Sequence, residues 1–94
     1  MLSFSPIDFK NIKKEDLNKE ICRVGIIAEY DAISLYEQMA DMTTDKDIKE
    51  MLLDIAKEEK THVGEFQALL LRLDKEQERE LVSGADEVEE KTNK

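Results

Sequence analysis

From residue 46 onward the chain marks out one regular stripe: Ile48, Leu52, Ile55, Glu59, His62, Phe66, Leu69 and Leu73. The steps alternate four and three, which places all eight on one side of an α-helix, the side a helical bundle buries. Six of the eight are apolar; Glu59 and His62 are the exceptions. An earlier stretch carries a matching stripe of Cys22, Ile26, Glu29, Ile33, Tyr36 and Ala40, and Glu29 is its one charged member. The pattern predicts a first helix from near Lys14 to Met42, with Glu15 and Asp16 in a first turn where acids suit the helix dipole. Thr43, Thr44 and Asp45 interrupt it and offer oxygens to cap the next helix, which runs from about Lys46 to Leu73. Asp74 followed by Gln77 resembles a capping box and opens a short third helix, expected to stop near Ser83 and Gly84.

Residues 1–13 contain Pro6 and no helical period, so they read as an extended arm whose Phe4, Ile7 and Phe9 are free to dock on a neighbour. Residues 14–84 form one helical domain, and residues 85–94 read as a flexible acidic tail. The fold class is all-α: an antiparallel two-helix hairpin plus a short C-terminal helix. Such a hairpin cannot cover its own apolar stripe, so packing alone predicts that it dimerises.

The two stripes agree in height as well as in pattern. Glu29 stands about as far before the turn as Glu59 and His62 stand after it, about 24 Å in each case. A carboxylate on an apolar stripe costs several kcal/mol unless it is neutralised, paired or bound to a metal. Two acids and the only histidine at one level make a metal the simplest resolution, and oxygen-rich sets with one imidazole suit iron or manganese. Carboxylate di-metal bundles use one Glu from each of two helices and Glu-x-x-His from each of two others. This chain holds one of each, Glu29 and the Glu59/His62 pair, which is half of the set. A second chain related by a two-fold axis supplies the rest.

Charge narrows the partners. The 94 residues include 14 basic and 23 acidic side chains, a formal charge of −9, which excludes a nucleic-acid partner and suits attraction of cations. One cysteine makes no intrachain disulfide, no apolar run reaches membrane-spanning length, and the first residues lack the features of a signal peptide, so the expected location is cytoplasmic. Cys22 lies about 10 Å along the helix from Glu29, too far to share its site, and reads as a small core residue. Gly25 and Gly64 interrupt good helix formers; close approach of a neighbouring helix explains them, and local flexibility is the competing account. Glu65 could orient His62 or form a surface salt bridge.

At this point a resemblance enters. The runs Ile26-Ile27-Ala28-Glu29-Tyr30-Asp31-Ala32-Ile33, Leu35-Tyr36-Glu37-Gln38-Met39-Ala40 and Glu58-Glu59-Lys60-Thr61-His62-Val63-Gly64-Glu65-Phe66 resemble the encapsulated ferritin family, over roughly residues 14–84. The resemblance implies a ferritin-like four-helix bundle made from two chains. It further implies a ferroxidase that oxidises Fe(II) with dioxygen, and Glu29, Glu59 and His62 as iron ligands across the dimer interface, two irons per dimer. Manganese, zinc or calcium are alternative occupants. Tyr36 matches a tyrosine beside the centre, and Asp31 an acidic position on the route by which iron enters. Ala28 and Leu35 depart from the family pattern, where an acid and an aromatic are usual. The implied assembly is a homodimer closing into a decameric ring, housed in an encapsulin nanocompartment with the encapsulin shell protein as partner; in some relatives a similar domain is fused ahead of that shell. Two other functions fit the residues: a metal-free helical module that oligomerises, and a peroxide-reducing rubrerythrin-like di-metal protein.

Overall fold

A computed structural model describes residues 8–94, and every regular element among them is helical. Pro6, Phe4 and Ile7 of the expected arm lie outside the described residues; Phe9 lies within them and is exposed. One turn of 3-10 helix, Lys14–Asp16, leads into α1, Leu17–Met42; α2 spans Lys46–Leu73 and α3 spans Lys75–Thr92.

The breaks follow the caps. Asp45 has extended backbone angles, and its side chain accepts the Ile48 amide at 3.0 Å, satisfying one of the donors a helix start leaves orphaned. Asp74, at φ −137° and ψ 90°, ends α2 and starts α3 by itself, accepting the Gln77 amide at 3.0 Å. One extended residue between two helices turns the chain sharply. The molecule measures 46 × 43 × 20 Å, two helix diameters thick. The hairpin supplies one long dimension, and α3 supplies the other by leaving it.

The third helix runs further than expected. Ser83 and Gly84 do not stop it, and residues 85–92, read from the sequence as a loose tail, are helical. Glycine ends a helix when it takes the left-handed conformation, and no described glycine does. Asn93 does so instead, at φ 58°, and its amide bonds the Glu89 carbonyl at 2.7 Å.

The core within one chain is narrow and built mainly from small residues: Cys22, Ala32, Ile33, Ala40, Ala56, Val63 and Leu70. On α1 the expected stripe holds, with Cys22, Ile33 and Ala40 buried and Ile26, Glu29 and Tyr36 half-buried. On α2 the line of deepest burial is displaced by one residue. Ala56, Val63 and Leu70 face α1, whereas Ile48, Leu69 and Leu73 of the expected stripe are exposed. Advancing one residue turns about 100° round a helix, so the apolar surface of α2 is broader than one seam, and α1 covers only part of it. Hydrophobic spacing marks the whole apolar sector and does not say which part meets the partner helix of the same chain.

Candidate metal centre

Glu29 leaves the middle of α1, and Glu59 and His62 leave α2 one turn apart. The antiparallel register brings all three to one level, as their equal distance from the turn requires. His62 Nδ1 lies 3.5 Å from Glu29 Oε2 and 3.4 Å from Glu59 Oε2. One ligand atom from each of the three residues lies within 4.8 Å of the others. Both carboxylate side chains are 19% exposed and the imidazole 45%, so the acids sit inside and the histidine at the open edge of α2.

The donor set fits a small, hard-to-borderline cation. Two donor atoms on a metal with bonds of about 2.1 Å stand about 3.0–3.4 Å apart for right-angled to tetrahedral arrangements, close to the separations here. Glu29 Oε2 is buried and makes no hydrogen bond. A buried carboxylate oxygen with no donor is costly, and a cation between the three groups would satisfy it. Carboxylate oxygens with one imidazole suit iron and manganese more than thiolate-seeking metals.

The other expected site residues fall around this cluster. Tyr36 is half-buried on the same stripe of α1, two turns from Glu29, about 10 Å along the axis. Asp31 is half-buried but lies two residues from Glu29, about 200° round the helix, so it leaves the far side of α1. Glu65 is not brought onto His62: it is exposed, with no hydrogen bond or ion pair among the described residues. Cys22 is buried in the core and takes no part in the cluster, as its spacing requires.

Two relationships had no direct signal in the hydrophobic pattern. Arg23 Nη2 reaches across to Asp74 Oδ2 at 3.1 Å while Nη1 holds Glu20, tying α1 to the start of α3. The Gln77 amide is the main reason the Asp74 carboxyl sits below its ordinary value, and the charges of Lys19 and Arg23 act the same way. Gly25 faces the ring of Phe66, which explains that glycine by close approach; nothing stands within 4 Å of where a Gly64 side chain would be.

A family model described as Rubrerythrin matches residues 12–93. The chain belongs to this family of ferritin-like proteins. It is 55% identical over 95 residues to a ferritin-like–encapsulin shell fusion protein of Pyrococcus furiosus, covering 98% of this chain and 27% of that one. It is 44% identical over 55 residues to the encapsulin nanocompartment cargo protein EncC of Myxococcus xanthus, covering 58% of this chain and 42% of the other. The matched segments therefore span about a quarter and about two fifths of the lengths of these curated relatives. Among solved structures, the encapsulated ferritin domain of Pyrococcus furiosus superposes with a TM-score of 0.86 at 50% identity, covering 100% of this chain and 98% of that domain. The expected resemblance to encapsulated ferritins and the all-α ferritin-like fold are both borne out.

Proposed function

We propose that this rubrerythrin-family chain is a ferroxidase. It takes Fe(II) as substrate and oxidises it to Fe(III) with dioxygen at a di-iron centre shared by two chains, two irons per dimer. The observation that carries this reading is the convergence of Glu29, Glu59 and His62 around a buried carboxylate oxygen with no hydrogen-bond donor. Glu29 and Glu59 bind the incoming cation, and their charge favours the ferric product over the ferrous substrate. His62 supplies one nitrogen per iron. Two Fe(II) ions each lose one electron, and dioxygen takes up both together with two protons, leaving as hydrogen peroxide.

The half-site argument is supported by the apolar stripe of α2 that carries His62. Ile48, Leu69 and Leu73 are exposed along the same stripe of α2 as His62, a surface a second copy of the chain would bury. A two-fold axis there brings a second Glu29, Glu59 and His62 to the first set. In this reading Tyr36 packs beside the centre, Asp31 lies on the path of incoming iron, Glu65 steadies His62 once the second chain is in place, and the dimers close into a decameric ring. The names of the two curated relatives support service within an encapsulin nanocompartment, with the shell protein as partner; iron storage there is the role that ferroxidase chemistry would serve.

The test is oxygen uptake and ferric absorbance after Fe(II) is added to the purified protein, beside Glu59→Ala and His62→Ala. Fast oxidation near one iron per chain, lost in both variants, supports the shared centre. Oxidation no faster than in buffer overturns it. The Rubrerythrin match favours a second reading, with hydrogen peroxide as the oxidant, so the same assay is run anaerobically with peroxide. Faster turnover with peroxide than with dioxygen moves the assignment to that reading.

A further inference from the structure

Gly25 and Phe66 stand one helical turn from the candidate metal centre, on facing helices. Gly25 is four residues before Glu29 and Phe66 is four residues after His62, so in an antiparallel pair both displacements point the same way along the bundle. A Cβ on Gly25 would meet Cδ1, Cε1 and Cζ of Phe66, each at 2.9 Å. A point equidistant from three consecutive ring carbons lies over the face of the ring and not off its edge. The ring of Phe66 therefore lies flat on the backbone of α1 in a notch that only glycine leaves open. Phe66 is half-buried, and its own four-residue spacing places it directly above His62 on α2.

We propose that Gly25 and Phe66 are positioning residues for the metal ligands: the ring seated in the notch sets the spacing and rotation of α1 against α2 at the level of Glu29 and His62. This rests on the metal-centre reading above and deepens it. The physical reason is rigidity. A ring face against bare backbone leaves no second side chain between them, so while the ring stays seated the helix separation is set by direct contact. Metal ligands must hold their separations to a few tenths of an ångström, and His62, at the exposed edge of α2, has no hydrogen bond among the described residues that would orient it otherwise. A methyl at residue 25 must either swing the ring out or part the helices. Parting the helices displaces His62 from Glu29; swinging the ring out removes the contact that sets their spacing.

The experiment titrates the metal-free full chain with Co(II), read by its visible ligand-field spectrum, in wild type, Gly25→Ala, the double variant Gly25→Ala/Phe66→Leu, and Glu59→Ala/His62→Ala. Alanine is the better helix former, so Gly25→Ala keeps its helicity by circular dichroism. The expected result is Co(II) affinity weaker by about tenfold or more in Gly25→Ala, the range seen when outer partners of metal ligands are lost, with an altered spectrum. The double variant, whose smaller side chain makes room for the methyl, recovers most of both. Wild-type affinity and spectrum in Gly25→Ala overturn the proposal. So does a loss that follows lowered thermal stability and is not recovered in the double variant. If wild type binds Co(II) no better than Glu59→Ala/His62→Ala, the metal-centre reading itself falls and this inference with it; binding in wild type with no change in Gly25→Ala removes the notch alone.

Discussion

Arg23 and Asp74 lie 51 residues apart in sequence and 3.1 Å apart in space, and their contact fastens α1 to the one residue that joins α2 to α3. Asp74 is held below its ordinary value of 3.8, chiefly by the Gln77 amide. A carboxyl lowered on folding contributes stability that is fully present above that ordinary value and is lost as pH falls through the lower folded value. Helicity of α3 is therefore expected to fall during acid titration below about pH 4. Asp74→Asn keeps a capping oxygen without a titrating charge and should flatten that acid limb, as circular dichroism across the titration would show.

Glycine in the middle of α3 is a correctable weakness. Gly84 has no left-handed backbone and nothing within 4 Å of its missing side chain. Gly84→Ala is expected to stabilise the helix by about 1 kcal/mol, measured as increased helicity and a higher melting temperature. A stabilisation of zero would mean that the segment is not helical in solution.

Cation binding at the proposed centre would be linked to folding through Glu29. Hundredfold excess of ligand over Kd stabilises a fold by about 2.7 kcal/mol, roughly 10 °C or more for a chain of this size. Co(II) should raise the wild-type melting temperature by that order. Glu29→Gln replaces a buried acceptor that makes no hydrogen bond by a neutral amide. Its metal-free form should melt no lower than wild type, and its response to Co(II) should be small or absent.

The apolar edge of α2 should carry the assembly. Ile48 and Leu69 are both about half exposed in the single chain, at 51% and 47%. Replacing both by lysine is expected to reduce the mass in solution, by light scattering, to the 10.9 kDa of one chain while leaving helicity in place. Ferrous oxidation should fall with it if the proposed centre is shared, since each separated chain would hold only half of it.

The sequence by itself determined the helices, their caps and the level at which chemistry gathers. Spacing of apolar residues is a local property, and so are the side chains of Asp45 and Asp74 that satisfy amides three residues ahead. Equal chain length on both sides of a turn fixed the meeting of Glu29 with Glu59 and His62, because rise per residue in a helix is constant. Three matters were left to tertiary structure. Which part of a broad apolar sector faces α1 depends on rotation about the axis of α2, and the small side chains Ala56 and Ala40 won that place because they let the helices approach closely. The length of α3 depended on whether Gly84 or Asn93 took the left-handed conformation, and both residues permit it. The pairing of Gly25 with Phe66 and of Arg23 with Asp74 required the two helices to be set against each other, since nothing in a linear pattern says which ring fills which notch.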